Sequence, residues 1–162
     1  MHEHLTFRDE LSRSDVEHIK NIVERAGVFS PAEVDIAIEL AEARLDKGDA
    51  SGYFFVLAEL ERRTIGFTCY GPIPATDQRY EIYWIVADKN EQQTGLGGAL
   101  LREAEKRIAH AGGKRIYTES SSSAAYEPAR AFYSKHGYVL EARLAKYHHE
   151  FDDLCVYLKV IK

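Results

Sequence analysis

The sequence predicts an α/β (α+β) fold, a mixed sheet with helices packed against it. Segments with helical periodicity alternate along the chain with short runs rich in β-branched and aromatic residues. A length of 162 residues is typical of one domain, and 45% hydrophobic and 29% charged residues are close to the globular average. We therefore expect residues 1–162 to form one domain with elements in the order β-α-α-β-β-β-α-β-α-β-β.

One strand and two helices come first. Residues 4–8 alternate apolar and polar side chains, as a half-buried strand does. Ser14 and Glu17 have the spacing of a capping box, which predicts the start of the first helix. A second capping box begins at Ser30, and the helix that follows it is expected to end at Gly48.

The rest of the chain begins with a hairpin and then alternates strands and helices. Residues 53–58 and 64–70 are β-rich and are separated by a short polar turn, which predicts the hairpin. The remaining predicted elements are strand 80–87, helix 95–111, strand 114–119, helix 126–136, and strands 138–146 and 154–161 around a turn at Asp152 and Asp153.

Composition limits the functional class. The chain has 21 Lys and Arg against 26 Asp and Glu, a formal charge of −5, so nucleic acid and anionic membranes are not expected partners. A cationic or amine-bearing partner fits this charge better. Cys69 and Cys155 lie in apolar runs without metal-ligand spacing, so we expect no metal and a reducing, cytoplasmic setting. The N-terminus shows no targeting pattern, and no run approaches a membrane span.

A glycine-rich turn at residues 92–98 is the most informative segment. It follows a predicted strand and opens a predicted helix, where backbone N–H groups lack intrahelical partners and the helix dipole favours anions. A Rossmann fingerprint would need glycine at Leu100, and a P-loop would need Gly-Lys-Ser/Thr. The turn therefore predicts an anion site of another kind.

The turn resembles the acetyl-CoA motif of the GCN5-related N-acetyltransferases (GNAT), in which Gln or Arg, two residues, Gly, one residue, and Gly or Ala follow one another. Gln92, Gly95 and Gly97 match it. Residues 129–138 resemble the family's later Ala-x-x-Phe/Leu-Tyr-x-x-x-Gly-Phe/Tyr segment. The resemblance covers nearly the whole chain and implies a largely antiparallel sheet and acetyl-CoA as cosubstrate.

The resemblance also implies which residues contact the cofactor. In the family the strand before the glycine turn separates from its neighbour, and the pantetheine arm pairs with its backbone. Tyr126 stands where the family often has asparagine. The predicted cofactor contacts are Ile85, Val86, Ala87, Gln92, Gln93, Thr94, Gly95, Leu96, Gly97, Gly98, Tyr126 and Tyr133.

Acetyl transfer to an amine needs a group that takes a proton from the amine and a group that protonates the departing thiolate. Tyr133 stands where the family commonly places its general acid, and a phenol is protonated at neutral pH. Glu81 matches the basic glutamate of the family's histone-acetylating branch. Glu119 and an ordered water are the alternatives to Glu81 as base.

These observations predict an acetyl-CoA-dependent N-acetyltransferase that acts on the primary amine of a small molecule by direct attack on the thioester. Two other functions stay open, a protein or peptide N-acetyltransferase and a non-catalytic acyl-CoA sensor. The sequence leaves the oligomeric state open, and a homodimer is one reasonable expectation. Acceptor identity and acyl-chain preference have no signal in one sequence.

Overall fold

A computed structural model describes residues 4–162 and shows seven strands and four α-helices in the expected order. Residues 1–3, part of the stretch in which we expect no targeting segment, lie outside the described residues. The elements are β1 Leu5–Arg8, α1 Arg13–Ala26, α2 Pro31–Lys47, β2 Phe54–Leu60, β3 Arg63–Pro72, β4 Arg79–Ala87, α3 Leu96–His110, β5 Arg115–Ser121, α4 Glu127–Lys135, β6 Val139–His149 and β7 Asp152–Val160.

One mixed sheet organises the molecule. Its strand order is β1-β2-β3-β4-β5-β7-β6, and β4 with β5 is the parallel pair among otherwise antiparallel neighbours. One face of the sheet carries a core shared with α1 and α2, and the opposite face carries a second core shared with α3 and with Phe132 and Tyr133 of α4. We call these the α1/α2 face and the α3/α4 face. The fold class predicted from the sequence is confirmed.

The parallel pair opens in the middle of the sheet. Pairing between β4 and β5 runs from Arg79 with Arg115 to Ile82 with Thr118 and goes no further, although β4 continues to Ala87. At the same place the register of β3 against β4 shifts, and Tyr83 is the additional residue of a β-bulge. The strands therefore separate beyond Ile82, as the family resemblance predicts.

The start of α1 differs from the prediction. The capping box consists of Ser12 and Asp15, not Ser14 and Glu17. Asp15 accepts hydrogen bonds from two guanidinium nitrogens of Arg8 in β1, at 2.8 and 2.9 Å, which fixes the helix end to the sheet. Burial disfavours ionised Asp15, but the bonds from Arg8 and Ser12 outweigh it and hold its pKa well below the usual range.

The C-terminal hairpin also differs from the prediction. Asp152 and Asp153 belong to β7, and the turn lies at residues 150–151. Asp153 accepts hydrogen bonds from Lys146 and Arg143 at 2.8 and 2.7 Å, so it ties β6 to β7 instead of forming the turn. β6 is the outer edge of the sheet, and all eleven of its residues are exposed. Within residues 4–162, no helix is long and apolar enough to cross a membrane.

Candidate active site

A cavity of about 610 Å³ lies on the α1/α2 face where β4 and β5 separate. Four carboxylates line it, from α2, β4, β5 and β7, together with four aromatic side chains. The carboxylates are Glu33, Glu81, Glu119 and Asp152, and the aromatic residues are Tyr53, Tyr83, Trp84 and Tyr126. A second cavity of about 420 Å³ adjoins the first and shares Glu81 and Glu119 with it. The two glutamates therefore stand at the junction of both cavities.

Glu81 reaches the cavity because of its place in β4. Its neighbour Ile82 points into the α3/α4 core, and successive side chains of a strand point to opposite faces. Burial, together with a smaller contribution from the charge of Glu119, raises the pKa of Glu81 to about 7. A carboxyl group with this pKa exchanges protons at neutral pH, as a general base must.

Tyr133 lies on the other side of the same junction. Its ring packs edge-on against Phe132 and Tyr138 at 5.4 and 5.7 Å, within the α3/α4 core. Burial raises the pKa of the phenol, and an interaction with Thr118 opposes that rise. Thr118 pairs with Ile82, and its hydroxyl donates to the Ile82 carbonyl at 3.1 Å. Tyr133 thus approaches the end of the β4–β5 pairing opposite Glu81.

The glycine turn has the backbone that its sequence predicts. Gln93 and Gly95 have positive φ angles of 66° and 89°, and α3 begins directly after Gly95. A Cβ on Gly97 would lie 3.2 Å from the Phe132 ring of α4. The absence of a side chain at Gly97 therefore lets α3 pack closely against α4. The first amide groups of α3 have no intrahelical partner, as at any helix N-terminus. Thr94 donates to the Glu91 carbonyl at 2.6 Å and closes the turn.

The β4 residues expected to contact the pantetheine arm follow the bulge. Ile85 and Ala87 pack against the α3/α4 core, whereas Val86 belongs to the α1/α2 core. They pair with β3 on one side, and the pairing with β5 has already ended. The backbone edge of β4 that faces β5 is thereby left without a β5 partner at these residues, and a ligand with amide groups can pair with such an edge.

Tyr126 lies away from the glycine turn and on the wall of the larger cavity. Its hydroxyl donates to Glu33 Oε2 at 2.9 Å, and its ring meets Phe29 edge-on. The structure therefore brings Tyr126 together with Glu33 and Glu81, while the predicted cofactor contacts at residues 92–98 lie at the start of α3. Its role as a cofactor contact stays a prediction.

Glu33 and Asp152 were not identified from the sequence as site residues. The sequence identifies Glu33 as the carboxylate of the α2 capping box, and it predicts Asp152 in a turn. Nothing local indicates that these two residues, far apart in sequence, line one cavity. Among residues 4–162, no group of three His, Cys, Asp or Glu side chains is arranged to hold a metal ion.

Comparison with known proteins identifies relatives of this architecture. The sequence profile of the acetyltransferase (GNAT) family matches residues 17–138. A solved structure from Desulfovibrio desulfuricans, assigned to the GNAT family of acetyltransferases, superposes with a TM-score of 0.94 at 35% identity, covering 98% of this chain and 99% of that one. No curated protein sequence matches this chain.

More distant structures share the fold. The ribosomal-protein-S18-alanine N-acetyltransferase from Escherichia coli gives a TM-score of 0.76 at 19% identity, over 98% of this chain and 94% of that chain. An aminoglycoside 6'-N-acetyltransferase complexed with coenzyme A gives 0.76 at 16% identity, over 98% and 97%. One of these proteins is named for a protein substrate and the other for a small molecule, so the shared fold does not select the acceptor.

Proposed function

Because the chain belongs to the GNAT family of acetyltransferases, we propose that it transfers the acetyl group of acetyl-CoA to the primary amine of a small molecule. The observation that carries this proposal is the position of Glu81. It lies where the two cavities meet, beside the opening between β4 and β5, and its pKa is about 7. A cavity of about 610 Å³ is within the usual size of small-molecule sites.

The residues present fit acetyl-CoA at two places. The amides at the start of α3, which have no intrahelical partner, suit a pyrophosphate, and the edge of β4 at Ile85 and Ala87, which is not paired with β5, suits the amides of a pantetheine arm. Residues 92–98 hold the phosphate end in this proposal. Acetyl-CoA supplies the activated acetyl thioester, and the chain's own residues bind it, orient the amine and move the protons.

Two proton movements are assigned to the chain. Glu81 accepts a proton from the acceptor ammonium, which must be neutral to attack. Tyr133 holds a proton on its phenol oxygen and donates it to the departing thiolate from the α3/α4 face. The two residues work from opposite faces, and the remaining protons are exchanged with solvent. The nitrogen loses a second proton after it attacks, Glu81 gives up the first, and the Tyr133 phenolate regains one, so each turnover releases one proton.

The test measures thiol release with a panel of amines and free-amine peptides across pH 5.5 to 9.5. Wild-type kcat/KM is expected to rise through a pH of about 7 as Glu81 ionises. Glu81→Gln should lose about 10²-fold at neutral pH, with the loss shrinking toward the pKa of the amine. Glu42→Gln is the matched control, because Glu42 is exposed on α2 and lies outside the cavity lining.

Three outcomes contradict parts of the proposal. CoA binding without thiol release for any amine would identify a sensor. Peptides that exceed every small amine would identify a peptide acetyltransferase. Parallel pH profiles for wild type and Glu81→Gln would show that Glu81 is not the base, and the role would then belong to Glu119 or to an ordered water.

Assembly and location remain predictions. The edge strand β6 exposes the apolar side chains of Val139, Leu140 and Leu144, which supports the expected homodimer. Gel filtration with light scattering tests it. The cytoplasmic location expected from the two unpaired cysteines is tested by fractionation of the source cell.

A further inference from the structure

We propose that the acceptor carries a second cationic group, so that it is a diamine or polyamine whose distal ammonium binds between Asp152 and Glu33. This inference rests on the proposed function, because it takes the larger cavity as the acceptor site. The reactive amine lies at Glu81 and Glu119, and the second charge lies at the far end of the same cavity.

Asp152 is a fixed anion on the cavity wall. It is 9% exposed, and its Oδ1 accepts hydrogen bonds from Ser121 Oγ at 2.5 Å and Ser122 N at 3.1 Å. The bond from Ser121 is the main reason that the pKa of Asp152 lies below its usual value. Its other oxygen, Oδ2, lies 3.9 Å from His149 Nε2, too far for a hydrogen bond. Asp152 therefore stays ionised and retains an oxygen with acceptor capacity.

Glu33 supplies the second anion of the cavity lining, from α2. Its Oε1 accepts from Ser30 N at 3.0 Å and its Oε2 accepts from the Tyr126 hydroxyl at 2.9 Å. These two donors fix the carboxylate on α2 without neutralising it. Each carboxylate oxygen has two acceptor positions, so the group can still accept from an ammonium.

Carboxylates outnumber basic side chains in the lining of the larger cavity. Its described lining has four carboxylates and no Lys or Arg, and His148 is the one side chain there that can become cationic. A monoamine becomes neutral when it gives its proton to Glu81. It then has no positive charge left to pair with Asp152 and Glu33. Asp152 is buried and Glu33 is half-buried, and such anions are costly unless they are paired, so a second ammonium is the complement that suits these two carboxylates. Trp84 and Tyr53 add aromatic surface that suits a cation.

The carboxylates also differ in kind. Glu81 has its pKa raised toward neutrality, whereas Asp152 has its pKa lowered. Acids whose environments shift their pKa values in opposite directions can take different roles. Here Glu81 is the proton acceptor, and Asp152 is a permanent negative charge. Ser121, which holds Asp152, is two residues beyond Glu119 on β5, or about 7 Å along the strand. A chain of four to six carbons between two nitrogens matches this separation.

The experiment compares acceptors that differ only at the distal group. The set is the α,ω-diamines with three to eight carbons, the n-alkylamines and the amino alcohols of equal length. At neutral pH and low salt, the best diamine should exceed its matched alkylamine and amino alcohol about ten- to hundred-fold in kcat/KM. The advantage should peak at four to six carbons and fall with added salt.

Charge-removing variants locate the distal site. Asp152→Asn keeps Oδ1 as the acceptor for Ser121 and Ser122, so it removes the charge with little change of shape. It should reduce the ratio of diamine to alkylamine kcat/KM by about ten-fold, mainly through KM, and Glu33→Gln should act in the same direction. Glu42→Gln removes an equal charge from the surface and should leave the ratio as in wild type.

The outcomes separate this inference from the proposed function. Equal kcat/KM for diamines and alkylamines, with thiol release from both, overturns the second cation and leaves the acetyltransferase intact. A diamine preference that Asp152→Asn and Glu33→Gln leave unchanged also overturns it, because the distal charge would then bind elsewhere. No thiol release from any amine counts against the proposed function itself.

Discussion

The two faces of the β4–β5 junction differ in the environment that they give to a titrating group. On the α1/α2 face, Glu81 lines an acidic cavity, and burial brings its pKa to about 7. On the α3/α4 face, Tyr133 packs among aromatic rings, and burial keeps its phenol protonated. Burial raises both pKa values, yet it makes one group able to exchange a proton and the other reluctant to lose it. The same physical effect thus prepares a base and an acid on opposite faces of one sheet.

Tyr133→Phe removes the proton donor of the α3/α4 face and should have the largest effect. The ring contacts with Phe132 and Tyr138 are kept, so kcat should fall by about 10²–10⁴-fold with nearly unchanged CoA affinity. The acid limb of the pH profile, which reports Glu81, should stay where it is. Tyr157→Phe is the control, because Tyr157 belongs to the same aromatic cluster. If the kcat of Tyr133→Phe stays within twofold of the wild-type value while chemistry is rate-limiting, Tyr133 has only a packing role.

Gly97→Asp tests the anion site at the start of α3, on the same face as Tyr133. A Cβ at Gly97 crowds Phe132, so Gly97→Asn, which has equal bulk, is the comparison. We expect CoA to bind about ten-fold more weakly to the Asp variant than to the Asn variant, measured by calorimetry. A negative charge in the first turn of a helix stabilises the helix. Unfolding of the Asp variant therefore does not explain weaker CoA binding by the Asp variant than by the Asn variant. Equal affinities would place the pyrophosphate elsewhere.

Glu119→Gln tests the α1/α2 face and should have the smallest effect. Removing the neighbouring charge makes ionisation of Glu81 easier, so the pKa of Glu81 falls from about 7 toward its ordinary value. Burial is the larger cause of the rise, so the acid limb of kcat/KM should move down by roughly half a pH unit. The kcat/KM of Glu119→Gln relative to wild type should therefore be higher at pH 6 than at neutral pH. A loss that is greatest at neutral pH and shrinks toward the pKa of the amine would instead make Glu119 the base.

The sequence predicted the parts of the fold and site that local chemistry determines. The α2 capping box at Ser30 and Glu33 forms as expected, and α3 begins at the glycine-rich turn as expected. Both depend on residues within a few positions of one another. The order of elements and the family follow from these patterns and are confirmed by the structure and its relatives.

The features that the sequence did not predict depend on contacts between distant residues. The cap of α1 is at Ser12 because Asp15 pairs with Arg8 across the start of the sheet. Tyr126 meets Glu33 of α2, 93 positions earlier, and the bulge at Tyr83 is visible only against β3. The assigned roles of Glu81 and Tyr133 stay predictions until they are measured.

The exposed edge strand β6 has a consequence for self-association. An uninterrupted edge with apolar side chains is a template for open-ended aggregation. Here the register of β6 against β7 shifts between Leu140 and Ala142 and again between Leu144 and His149, and Lys146 has a φ of 58°. Charged side chains also interrupt the strand at Glu141 and Arg143. A second strand could join this edge only by matching its irregularities, which favours a shape-specific partner over amyloid-like stacking.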